Sequence, residues 1–183
     1  MGLAIPANGW CEIPKLLQKT KSEYPDAAAQ YIKDKDGDFR TRSFSRLYQE
    51  VLAVAAGLQA LGVSRGDHVG MPQELQYILG FSGCELVIVE NTVQLAKLAG
   101  LLSELPAAKT VVVLDEDSDE TELSQEALSA LRKLTFRRYE EVIEEGRGIL
   151  GRAGPGAIED ENAAGSPDDV ATIIFRRRVQ AIR

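Results

Sequence analysis

The sequence is poor in the residues that commonly carry chemistry. It holds one histidine and two cysteines among 183 residues. Cys11 and Cys84 stand far apart, with neither CxxC spacing nor histidines nearby, so they read as buried or incidental thiols rather than a disulfide framework or a zinc site. Positive charge is also in deficit. Lys and Arg number 21 against 28 Asp and Glu, a net charge of −7, whereas a nucleic-acid footprint needs a basic face. No apolar run reaches the roughly 18 to 20 residues required to cross a bilayer, so no transmembrane segment is expected. The opening MGLAIPANGW has no basic start and no sustained apolar stretch, which argues against a secretory leader and for a cytoplasmic location. There is no G-x-S-x-G elbow, no G-x-x-x-x-G-K-[ST] phosphate loop and no internal repeat.

What remains is an ordinary globular composition, 44% hydrophobic and 27% charged, of a length suited to one domain. Ala27 to Ile32 and Phe39 to Thr41 flank an Asp36-Gly37 turn signal and predict a β-hairpin. Ser43 is a candidate N-cap for a helix with Leu47, Val51, Val54, Leu58 and Leu61 at helical spacing, stopping at Gly62. SRGDHVGM reads as a turn with a stub of strand, and Pro72 opens a second helix that ends near Gly83. CELVIVE and AKTVVVLDE are apolar runs of buried-strand type, separated by a helix capped by Asn91 with Val93, Leu95, Leu98 and Leu102 on one face. That succession is the βαβ unit of a parallel sheet. The acidic run from Asp115 to Glu122 lacks the oxygen spacing and glycine of a calcium loop and reads as solvated. LSQEALSALRKLTFRRYEEVIEEGRGIL follows as one or two amphipathic helices, GRAGPGAIEDENAAGSPDD as a surface loop, and Val170 to Phe175 as a further buried strand.

Local chemistry yields no active site. Gly146, Gly148 and Gly151 match G-x-G-x-x-G, with Asp168 and Asp169 about twenty positions later, as in a dinucleotide fingerprint. That motif works only between a strand and a helix, where backbone amides meet the pyrophosphate. Here it follows a helical, acidic stretch, so helix C-cap and loop glycines are the expected reading. His68, beside Gly66-Asp67, reads as a surface or edge residue rather than a general base. No catalytic, cofactor-binding or metal residue is assigned.

Three blocks in order carry a family resemblance: FSRLYQEVLAVAAGLQALGVSRGDHVG, QELQYILGFSGCELVIVENTVQLAKLAGLLSELPAAKTVVVLDE and SPDDVATIIF. Together they resemble the N-terminal domain of AMP-forming acyl-CoA synthetases, bacterial long-chain fatty acid–CoA ligases in particular. The resemblance implies an α/β fold: a partial, mostly parallel sheet with flanking helices and a short N-terminal hairpin, over residues 1–175. It implies a lineage that activates fatty acids with ATP, magnesium and coenzyme A. In that family a Thr-Ser-Gly-Thr-Thr-Gly phosphate loop follows the strand resembling Val170 to Phe175, whereas Arg176, Arg177 and Arg178 stand here, opening a basic tail over 176–183 that falls outside the resemblance. This chain is therefore expected to bind no cofactor and to be inactive alone, the alternative being a non-catalytic docking or nucleotide-binding α/β module. A segment of about thirty residues, the length of one βα unit, is expected to be missing near Val69-Gly70-Met71-Pro72, leaving the sheet with a gap or a rearranged neighbour. Uncovered sheet edges imply self-association or docking onto a partner.

Overall fold

The computed structural model describes residues 13–34, 36–70, 83–115, 123–166 and 168–169. Most of the helix expected from Pro72 to Gly83, the acidic run beyond Asp115, the strand expected over 170–175, the tail 176–183 and Cys11 lie outside them. Two compact units make up the chain: a hairpin unit, 1–49 with 155–183, and a sheet unit, 50–154.

In the hairpin unit, α1 (Ile13–Glu23) is a helix the sequence reading passed over, and it buries no residue. The expected hairpin is present as β1 (Ala28–Lys33) and β2 (Phe39–Ser43), antiparallel, with Tyr31 opposite Thr41 and Lys33 opposite Phe39. Its turn is tied by an aspartate outside the Asp36-Gly37 signal. Asp34 Oδ1 accepts from the amides of Asp36 and Asp38 at 3.1 and 2.9 Å, and Arg40 Nε donates to Asp34 Oδ2 at 2.8 Å. Gly37, at φ 92°, takes the left-handed step that closes the turn.

Helix α2 (Phe44–Ala60) begins on the expected cap, with Ser43 Oγ accepting from Arg46 N at 3.3 Å. It stops where expected too. Gly62, at φ 91°, donates to Gln59 O while Val63 donates to Leu58 O, the paired bonds of a glycine-terminated helix. The buried face differs from the one drawn by Leu47, Val51, Val54, Leu58 and Leu61: Val51 is 40% exposed, while Tyr48, Leu52, Ala53, Ala56 and Gly57 are buried.

The sheet unit holds β3 (Val69–Gly70), β4 (Leu86–Val89), β5 (Thr110–Val113) and β6 (Thr135–Arg138), all parallel and in that spatial order. Between them run α3 (Thr92–Leu101) with a 3₁₀ turn at Leu102–Glu104, and α4 (Gln125–Leu131); α5 (Tyr139–Ala153) follows β6. In the hairpin unit, α6 (Gly156–Ala163) packs against α1, and Lys15 Nζ donates to Gly165 O at 3.3 Å. Helices α3 and α4 start on side-chain caps, Asn91 Oδ1 accepting from Gln94 N and Ser124 Oγ from Ala127 N.

Alternation along β4 and β5 divides the sheet into two covered faces. Val87, Val89, Val111 and Val113 pack with Leu95 and Leu98 of α3 and Leu131 of α4. Leu86 and Val112 pack with Val142 of α5 and, partly buried, Leu58, Leu61 and Val63. Burying each such side chain contributes about 1.5 to 3 kcal/mol, which is why a strand covered on both faces is apolar throughout.

Three expectations are corrected. LTFRR is not part of a helix: β6 occupies it, with Val111 opposite Phe136 and Val112 opposite Arg137. GRAGPGAIEDENAAG is not a loop, since α5 continues to Ala153 and α6 follows, anchored by buried Ile158. Of the gap or rearranged neighbour expected beside β3, a gap between β3 and β4 is excluded among the described residues, because the two pair directly, Val69 opposite Leu86 and Gly70 opposite Val87.

Candidate functional site

In open parallel sheets, ligands bind beyond the carboxyl ends of the strands, where the strand order reverses. Here the order runs β3-β4-β5-β6 without reversal among the described strands. Among the described residues, the carboxyl ends of β4, β5 and β6 carry hydrogen bonds made within the chain. Beyond β4, Gln94 Oε1 accepts from Glu90 N at 3.0 Å, and Gln94 N donates to Asn91 Oδ1 at 3.2 Å. Past β5, Leu114 N and Asp115 N donate to Val89 O and Glu90 O. At the end of β6, Glu141 Oε2 accepts from Arg138 N at 3.1 Å. These groups hold helix starts and strand ends together.

The glycine motif has a different use from any nucleotide loop, and also from the cap and loop roles expected of it. Gly146, Gly148 and Gly151 all lie inside α5, and the cap is Gly154, at φ 76°. Gly146 is buried where α5 crosses α2: a Cβ there would sit 1.8 Å from Ala53 O and 2.9 Å from Gly57 N. On the facing helix, a Cβ at Gly57 would sit 2.2 Å from Val142 O. Two backbones touch at this crossing, and only glycine leaves room for them. A period-based reading weighted toward large apolar residues could not see it. The signal was the run of small residues Ala53, Ala56 and Gly57.

The remaining candidates do not converge. His68 is exposed in the turn before β3, where Asp67 Oδ2 accepts from Ser64 N at 2.8 Å. Cys84 is a buried thiol at the start of β4's core. Asp169 Oδ2 accepts from Ser166 N at 3.0 Å, while the amide of Asp168 donates to Ser166 Oγ at 3.3 Å, so both aspartates belong to an exposed turn. Among the described residues no three His, Cys, Asp or Glu side chains gather to hold a metal ion. The open depression on α4, lined by Gln125, Glu126, Ser129, Ala130 and Lys133, lacks the enclosed apolar walls of a ligand pocket.

Sequence reasoning missed one part-buried polar pair. In the hairpin unit, Tyr48, 4% exposed, donates its hydroxyl to Glu159 Oε1 at 3.0 Å, with Lys21 Nζ 5.3 Å from the ring centroid. Burial, then the glutamate's bond and charge, push the phenol up to about 12. It therefore stays protonated and acts as a donor joining α2 to α6. Asp34 is shifted the other way. The amide of Asp38 lowers its carboxyl below the ordinary value, with Arg40 adding to the effect.

No protein-family model matches the chain. A mitochondrial medium-chain acyl-CoA ligase of Danio rerio is 36% identical over 93 residues, which is 47% of this chain and 15% of that protein. The adenylation domain of a carboxylate reductase from Mycobacterium chelonae superposes with a TM-score of 0.56 at 18% identity, over 77% of this chain and 30% of that one. The corresponding domain of a carboxylic acid reductase from Segniliparus rugosus gives 0.59 at 18%, over 75% and 30%. The chain thus spans under a third of the length of these proteins, and its α/β architecture is that of one part of the adenylation domain of adenylate-forming enzymes.

Proposed function

We propose that the chain is a portion of the N-terminal domain of an AMP-forming acyl-CoA ligase of the fatty-acid class, and that these 183 residues alone do not activate a carboxylate. The observation that carries the reading is the shared adenylation-domain architecture, which joins a 36% identical stretch of an acyl-CoA ligase. Long-chain fatty acids are the substrate class that the sequence resemblance favours.

The inactivity follows from charge. Adenylation drives a carboxylate onto the α-phosphate of ATP, and the developing negative charge needs backbone donors and magnesium arranged beforehand. The sequence contains no Thr-Ser-Gly-Thr-Thr-Gly run to supply those donors. At the starts of α3 and α4 the Asn91 and Ser124 side chains each take one backbone amide, which supports the reading that these helix ends serve the fold.

The test is ATP–pyrophosphate exchange by the purified chain with decanoate or palmitate, beside calorimetry with ATP and magnesium. The expected results are exchange at the level of the enzyme-free blank and no heat of binding. Acyl-adenylate formation by the chain alone would refute the inactivity.

A further inference from the structure

Three helices of the hairpin unit meet in a closed ring of contacts around Tyr48. From α2, the Tyr48 hydroxyl donates to Glu159 Oε1 of α6 at 3.0 Å. From α1, Lys21 Nζ lies 5.3 Å from the centroid of the same ring. The third side joins α1 to the residues just past α6, Lys15 Nζ donating to Gly165 O at 3.3 Å, where the two helices pack. Two of these contacts close over 111 and 150 residues of chain.

Neither outer helix is held by a core of its own. Helix α1 has 11 residues and buries none, while α6 has 8, buries only Ile158 and starts at Pro155 without a side-chain cap. Isolated helices shorter than about 12 to 15 residues are marginal in water, so both depend on what they touch. What they share is Tyr48. Lifting α1 takes the Lys21 stem and its charge from the ring, and water reaching the ring weakens the hydrogen bond that holds α6. Lifting α6 removes the carboxylate that accepts from the hydroxyl and takes Gly165 O from Lys15.

We propose that α1 and α6 form one strap, clasped on Tyr48, that orders and releases as a unit. The segment 156–169, which leads to Val170, is then ordered only while α1 is docked, although Lys15 stands 150 residues before Gly165. Whatever lifts α1 loosens the approach to Val170, because local opening follows the contacts a segment has and not its place in the chain.

Native-state amide exchange of the full chain tests the clasp, with β4 and β5 as the record of global unfolding. In the wild type, α1 and α6 should share one level of protection, below that of β4 and β5. The decisive effect is the crossed one. Glu159→Ala, which acts on Tyr48 from α6, should speed exchange in α1 about tenfold, since a hydrogen bond to a charged group is lost. Lys21→Ala, which acts on it from α1, should speed exchange in α6 about threefold. Asp160→Ala, an exposed neighbour on α6, should leave α1 unchanged. The strap is overturned if Glu159→Ala or Lys21→Ala leaves the helix it does not belong to unchanged, or if either loosens β4 and β5 to the same extent. A wild type in which α6 is protected while α1 exchanges at the rate of an unfolded peptide overturns it too.

Discussion

The hairpin unit and the sheet unit solve the same problem in opposite ways. In the sheet unit, β4 and β5 are covered on both faces, and Val87, Val89, Val111, Val112 and Val113 are almost fully buried. In the hairpin unit, β1 and β2 show exposed residues along most of their length, α1 buries none, and order comes from polar ties: Asp34 in the turn, Ser43 at the helix start, Tyr48 on Glu159. A parallel strand has no local partner, so it forms only where burial on both faces repays the ordering of a distant neighbour. An antiparallel hairpin meets its partner through a short turn and can be held by hydrogen bonds alone, at a lower stability.

That contrast can be broken by substitution. The largest effect is expected at Leu98→Ala, which empties a fully buried site in the sheet unit: about 4 kcal/mol lost in urea unfolding. Gly146→Ala should follow at about 3 kcal/mol, because the added methyl meets the Ala53 carbonyl, and the clash outweighs the helix propensity that alanine adds. A gain in stability there would mean that α5 and α2 do not touch backbone to backbone.

In the hairpin unit the effects are smaller. Tyr48→Phe should cost about 1 kcal/mol, leaving Glu159 without its donor. Because the folded phenol is raised to about 12, its contribution is complete below the unfolded value near 10 and is lost as pH rises through 12. The wild-type chain should lose stability across that window and the phenylalanine variant should not. Smallest of all, Phe39→Ala should shift the unfolding midpoint of the dilute monomer by less than about 0.5 kcal/mol, since its ring touches little within one chain. Below the ordinary carboxylate range the Asp34 turn should loosen as its lowered carboxyl protonates, visible as faster amide exchange at Asp38.

Legibility in the sequence divided along the same line. CELVIVE and AKTVVVLDE were readable as buried parallel strands because doubly covered strands must be apolar at every position. Caps were readable because Ser43 and Asn91 do one local job that few residue types can do. β6 was not, since TFRR is only partly buried and its arginines show no apolar run. Nor was α6, which buries only Ile158. The buried face of α2 was misdrawn because contact with α5 is made by alanine and glycine, whose importance is space rather than hydrophobicity. The site reading is most affected by this last point, since Gly146 of that contact is also the first glycine of the apparent nucleotide motif.

The all-parallel pairing of β3 through β6 bears on how this chain leaves the ribosome. The whole of α3 separates β4 from β5, so β4 emerges from the exit tunnel with only the two-residue β3 to pair against until β5 has been synthesised. At translation speeds of roughly 5 to 20 residues per second, that interval lasts seconds, long enough for a nascent-chain chaperone to bind.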